Sequence, residues 1–116
     1  MSREIISSAE FPIKSFNSPA VKIPGLLFCG GQIGKGDIKD ATLTALTRLK
    51  SVLELGGSSL DKVVKFNIFI GDMDEFDSMN EVFVAFVPDP KPARTCIQAG
   101  RLPAGAAIEI ECIAVY

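Results

Sequence analysis

Histidine is missing from all 116 residues, which removes Ser-His and Cys-His nucleophile pairs and most zinc sites. Chemistry in this chain has to run on Arg, Glu, Asp, Lys, Tyr, backbone groups and water. Two segments hold such groups in order. In Lys91-Pro-Ala-Arg-Thr-Cys96, Arg94 opens an expected strand directly behind a proline-stiffened turn. A guanidinium fixed there offers a planar fork of donors matched to a carboxylate, and it sheds water more readily than an ammonium. From position alone, a structural or surface arginine is the commoner role. In Ile108-Glu-Ile-Glu-Cys112, Glu109 and Glu111 project from one strand face inside an apolar run. Either they are solvated on an exposed sheet face, or one lies near Arg94 at a water-poor interface with its pKa tuned for acid/base work.

Three further features belong with these. Cys96 falls two residues after Arg94 on the same strand face, but without histidine its activation would depend on Arg94 or a helix end, so a structural or pocket-lining role is expected. Asn80 interrupts an apolar helical stripe and needs a hydrogen-bond partner, for which the loop before Arg94 is the expected candidate. Gly30-Gly-Gln-Ile-Gly34 lacks the Lys-Ser/Thr ending of a phosphate loop. Its glycines are expected to permit close backbone approach at a sheet bulge or around a ligand.

The elements that position these residues follow from periodicity. Arg3 to Ser7 reads as an edge strand, Phe11 to Pro19 as a loop, and Ala20 to Ile23 with Leu26 to Gln32 as a hairpin turning at Pro24-Gly25. Leu46, Leu49, Val52 and Leu53 predict a helix over Asp37 to Leu55, stopped by Gly56-Gly57. Val63 to Ile70 reads as a strand with Val64, Phe66, Ile68 and Ile70 on one face and Val63, Lys65, Asn67 and Phe69 on the other. A second helix is expected from Asp72, with Glu75 completing a capping pair, through Phe76, Met79 and Phe83 to the prolines at 88 and 90. Ala93 to Ala99 and Ala107 to Val115 are the last strands. The order β-β-β-α-β-α-β-β describes a single α+β domain over 1–116, with one sheet and both helices on one face. The other face carries Val63, Phe69, Ile113 and Val115 beside Glu109 and Glu111, too apolar for plain solvent, so packing against further copies is expected.

Twelve basic against 14 acidic residues give a net charge of −2 and a pI near 5.1, so no nucleic-acid partner is expected. No apolar run approaches the roughly 18 to 20 residues of a membrane helix, and neither a signal peptide nor a transit peptide is read at the N-terminus. Cys29, Cys96 and Cys112 are odd in number and lie in apolar runs, which suits free thiols in a reducing compartment. The cytoplasm is expected, with the mitochondrion left open.

Several separated segments together resemble the RidA/YjgF family of reactive imine and enamine deaminases: Gly31-Gln-Ile33, Gly57 to Lys65, Asn80-Glu-Val-Phe83, Lys91 to Cys96, and Leu102-Pro103 followed by Ile108 to Val115. The resemblance runs from about Val21 to the C-terminus. It implies a chorismate-mutase-like homotrimer with clefts between subunits, and hydrolysis of 2-imino acids and their enamine tautomers, such as 2-aminoacrylate, to 2-oxo acids and ammonia. It further implies that Arg94 clamps the substrate carboxylate, that Glu109 positions and helps deprotonate the attacking water, and that Gly31 and Cys96 line the pocket, with no metal and no cofactor. Two positions depart from the family pattern. Where relatives commonly carry Gly-Pro-Tyr-Ser and Ser-Gly-Gln, this chain has Ser15-Phe-Asn-Ser18 and Gly30-Gly-Gln32, so Asn17 and Gly30 replace a phenol and a hydroxyl. The loop after Ile33 is also short. A cleft that binds a 2-oxo acid without turnover is the alternative these changes leave, and an endoribonuclease, an activity known among relatives, lacks a phosphate track here.

Overall fold

The computed structural model describes residues 2–116; Met1, counted in the expected domain, lies outside the described residues. The elements are β1 (Glu4–Ile6), β2 (Ala20–Ile23), β3 (Leu26–Gly34), α1 (Ile38–Leu55), β4 (Val63–Ile70), α2 (Phe76–Phe86), β5 (Ala93–Gln98) and β6 (Ile108–Val115), in the expected order. They build one sheet ordered β1-β2-β3-β6-β4-β5. Pairing is antiparallel except between β4 and β5, because α2 carries the chain back along the sheet before β5 begins. The last strand is thereby inserted between β3 and β4, which puts Glu109 and Glu111 at the centre of the sheet.

Local chemistry explains the helix ends. The Asp37 carboxylate accepts hydrogen bonds from the Lys39 and Asp40 amides at 3.1 and 3.2 Å, capping α1. At the other end Gly57 takes φ +81°, so that its amide reaches Glu54 O (3.1 Å) while Ser58 N–H reaches Leu53 O (2.9 Å). Ala45, Leu46, Leu49, Val52 and Leu53 form the buried stripe of α1. Leu27, Phe66, Ile68 and Ile110 meet the helices from the sheet, all fully buried. Phe66 and Phe83 of α2 stack edge to face, centroids 5.2 Å apart.

Two expectations need correction. Asp72 does not open α2: its carboxylate accepts from Asp74 N–H at 2.9 Å and caps a single 3-10 turn, Met73–Glu75, and the α-helix begins at Phe76. Because Asp74 takes the cap and Glu75 N–H bonds to Asp72 O (3.0 Å), the turn closes tightly and Glu75 does not form the expected pair. The second correction concerns the faces of β4. Val63 pairs with Ala114 and Lys65 with Ile113, so Val64 is an extra residue, a β-bulge. The bulge sends Val63 into the core (7% exposed) and Val64 outward (43%). The helix-free face still carries Phe69, Ile113 and Val115, to which the register adds Phe28 opposite Ile113 and Ile97 opposite Phe69.

Candidate functional site

Glu109 stands on the helix-free face of β6, opposite Ile33 of β3 and Phe69 of β4. Cys29 pairs with Cys112 and Gln32 with Ile110, so Gly30 and Gly31 together oppose Glu111 and form a bulge in β3. A Cβ at Gly31 would overlap the Glu109 side chain, lying 2.7 Å from its carboxyl carbon. The carboxylate therefore rests against bare backbone. Burial, and after it the charge of Glu111, raises the Glu109 pKa from that of an ordinary glutamate. Glu111 accepts a hydrogen bond from Asn67 Nδ2 at 3.1 Å, which holds it beside Glu109 on the same face.

Glu109 lines a cavity of about 800 Å³ together with Asn17, Gly30 and Gly31. The loop between β1 and β2 forms one wall and the turn at Pro103–Gly105 another. Ala104 is held there at φ +55°, a left-handed conformation unusual for a residue with a Cβ. Phe16, at the mouth, is 78% exposed.

Arg94 is held just as firmly, but elsewhere. In the β4–β5 register it lies opposite Phe66 and so on the helix-covered face, at the edge of the sheet. Its Nη1 donates to Asn80 Oδ1 at 2.6 Å, and its guanidinium carbon lies 4.8 Å from the Phe83 ring centroid and 5.5 Å from that of Phe76. Asn80 thus takes the arginine itself, where sequence pointed to the loop before it. That loop is tied down by Lys91, whose ammonium donates to Val84 O in the last turn of α2 and to Val87 O just beyond it. Stacking and one amide bond leave most of the guanidinium's five donors free.

Cys96 lies beside Arg94 on the same face, opposite Ile68. Burial raises its thiol pKa and Arg94 only partly opposes this, so the nucleophilic thiolate is disfavoured. Cys29 and Cys112 face each other across β3 and β6 in the core. The hydrogen bond with Cys29, and then burial, holds the Cys112 thiol protonated.

Of the residues singled out from sequence, Asn17, Gly30, Gly31 and Glu109 share the cavity, while Arg94 and Cys96 lie outside it, across the sheet. Within one chain the carboxylate and the guanidinium do not meet. Sequence reasoning passed over Arg48, which also lines the cavity. The available signal was its place three residues after the buried Ala45, where a long stem lies along the apolar stripe.

Residues 7–116 match the family model described as Endoribonuclease L-PSP. Protein mmf2, mitochondrial, from Schizosaccharomyces pombe is 44% identical over 98% of both chains. A 2-iminobutanoate/2-iminopropanoate deaminase from Dermatophagoides farinae is 36% identical, over 97% of this chain and 96% of its own. The crystal structure of RidA from an Antarctic Psychrobacter superposes with a TM-score of 0.91 at 33% identity, covering 97% of this chain and 99% of that one. The sheet with two helices on one face is thus the fold of a known class, and this chain belongs to the RidA/YjgF family.

Proposed function

We propose that the protein hydrolyses reactive 2-imino acids and their enamine tautomers to 2-oxo acids and ammonia, as a homotrimer whose clefts combine Glu109 of one copy with Arg94 of the next. The observation that carries the reading is the half-buried Glu109 carboxylate set against Gly31 in the wall of a substrate-sized cavity, with its proton affinity raised. In the proposed reaction Arg94 clamps the substrate carboxylate and Glu109 accepts a proton from water as its oxygen adds to the C=N carbon. Return of that proton to nitrogen makes ammonia the leaving group, and as the C–N bond breaks Glu109 takes the hydroxyl proton, so that the carbonyl forms and the carboxyl is left to pass its proton to solvent. Gly31 and Cys96 line the site, and no metal or cofactor enters any step. The relatives' deaminase names support the reaction class. Two relatives named mitochondrial, together with three free cysteines, favour a reducing compartment, mitochondrial or cytoplasmic.

Assembly follows from the same geometry. Arg94 and Glu109 are on opposite faces of the sheet, so only a second copy can bring them together. The helix-free face meanwhile exposes Ile97 (50%), Phe28 (41%) and Val115 (41%), surface that so small a chain is expected to cover by closed symmetry. Light scattering at micromolar concentration should give three times the 12.4 kDa chain mass. A monomer would remove the shared cleft, and the reaction with it.

A second reading, a trimer that binds a 2-oxo acid without turning over its imine, is favoured by Asn17 and Gly30, both in the cavity wall where the family pattern has a phenol and a hydroxyl. Imines generated in situ by an amino-acid oxidase, with 2-oxo acid release followed with and without the protein, decide between the two. The same assay tests specificity. A Cβ at Gly30 would meet Ser18 O at 3.4 Å, ordinary contact, so Asn17→Tyr/Gly30→Ser can restore both groups. This double variant is expected to shift preference from bulky toward small imines; an unchanged ratio would show that these positions do not set it.

A further inference from the structure

The cavity in which Asn17 and Gly30 stand in place of a phenol and a hydroxyl is also lined by cations. Arg48 reaches it from α1, joined by Lys14 and Lys35 from the flanking loops, against Glu10 and Glu109 as the acidic groups of the lining. Among the described residues, none of the three cations has a carboxylate within salt-bridge distance. Lys14 and Lys35 are exposed and Arg48 is half-buried.

Arg48 differs from a solvated surface arginine in being oriented on two sides. Its Nε donates to Gln32 Oε1 at 2.9 Å, and its guanidinium carbon lies 4.7 Å from the centroid of the buried Phe11 ring. Gln32 follows directly on the Gly30–Gly31 bulge that backs Glu109 and pairs with Ile110, so this bond ties the guanidinium to β3 on the side facing α1, while Glu109 enters the same cavity from the other side of the strand. With Nε and one ring face occupied, the Nη1/Nη2 edge keeps its donors, and among the described residues it meets no acceptor. A stacked guanidinium with that edge free is prepared for a planar anion, because orientation is already fixed before the ligand arrives. The Thr44 hydroxyl, one turn earlier on α1, lines the same wall.

We propose that Arg48, with Lys14 and Lys35, forms a second anion subsite in this cleft, and that the preferred substrates are 2-imino acids with a carboxylate on the side chain. The substrate class rests on the hydrolytic reading above; the anion site rests on the cavity alone. Room admits a large side chain, and Arg48 selects an acidic one.

Binding and turnover test the two parts separately. Calorimetric titration should show 2-oxoglutarate binding about tenfold or more tighter than 2-oxobutyrate, the effect of one charge-assisted hydrogen bond. Arg48→Met, which keeps the apolar stem, should abolish that preference. The ratio of kcat/KM for imines generated from L-glutamate and L-alanine should fall in parallel. Should the Met variant not fold, Arg48→Lys, which keeps charge but not the planar edge, serves the same comparison with a smaller loss. Equal affinity of the wild type for the two oxo acids, a preference that survives Arg48→Met, or phosphate binding as tightly as 2-oxoglutarate would each overturn the proposal. A binding preference without hydrolysis of any imine would uphold the subsite and sink the deaminase reading instead.

Discussion

Arg94→Lys is expected to fold and assemble like the wild type yet lose most imine hydrolysis together with its affinity for unreactive 2-oxo acids. The guanidinium is oriented before substrate arrives: Asn80 Oδ1 takes Nη1 at 2.6 Å, and its carbon lies 4.8 and 5.5 Å from the Phe83 and Phe76 ring centroids. What remains is a fork that pairs two parallel N–H groups with a carboxylate. An ammonium at this position keeps the charge, but its donors cannot bond to Asn80 and also present two parallel bonds to a substrate. Losing one charge-assisted hydrogen bond costs about 1.5–3 kcal/mol, or roughly 10- to 150-fold in binding, and misorientation of the C=N carbon adds a further loss in rate. Because Arg94 lies on the edge strand and is only part-buried, the fold should tolerate the change; a thermal melt and light scattering check this. Titration with 2-oxobutyrate beside the imine assay is the decisive pair. Full binding and turnover in the Lys variant would remove Arg94 as the clamp and deprive the shared-cleft model of its second residue.

The parts of this molecule legible in its sequence are those governed by local chemistry. Asp37, the leucines of α1 and Gly56-Gly57 mark both ends and the buried face of that helix without reference to anything distant. The capping aspartate fills orphan amides, and the glycine adopts the backbone that ends the helix. Asn80 was legible as a polar group in need of a partner, but which partner depended on how α2 lies against β5. At Val63-Val64 the signal failed for a physical reason. Two adjacent β-branched residues suit either face equally, so nothing local shows that one is extra, and the bulge is decided by pairing with β6.

The same limit governs the site. Alternation along a strand says which residues share a face within it, and it correctly grouped Arg94 with Cys96 and Glu109 with Glu111. It is silent on whether two strands present those groups to the same side, because that relation is set by register across the sheet. Here the register puts Arg94 opposite Phe66, under the helices, and Glu109 opposite Phe69, away from them. Arg48 was hidden for a related reason. A charged residue flanking an apolar stripe usually points to water, and only the path of the loop that brings Phe11 over it makes it an oriented group.

Glu109→Gln should separate chemistry from binding. The amide has the size of the carboxylate and fits against Gly31 as the native side chain does, whereas it cannot accept a proton from the attacking water. Loss of general-base assistance typically lowers the rate by about 10²- to 10⁴-fold, while a 2-oxo acid, held mainly by Arg94, should still bind. The pH dependence gives an independent readout. Burial first, and the Glu111 charge second, raise the Glu109 pKa, so the acid limb of the wild-type kcat profile is expected higher than for an ordinary solvated glutamate. kcat reports the substrate complex, in which Arg94 is engaged by the substrate rather than by Glu109. The stability consequence has the opposite sense to that of a salt-bridged acid. A folded-state pKa raised above the unfolded value favours the protonated form, so its contribution is fully present below the unfolded pKa and is lost as pH rises through the folded one. In an Arg94→Met background, where no partner guanidinium faces the carboxylate, Glu109→Gln, neutral throughout, should therefore melt higher than the Arg94→Met parent at neutral pH, with the difference closing in acid. An acid limb that persists unchanged in the Gln variant, or turnover near the wild-type rate, would mean that the proton goes to another group, and Glu111, held beside it by Asn67, would be the next to test.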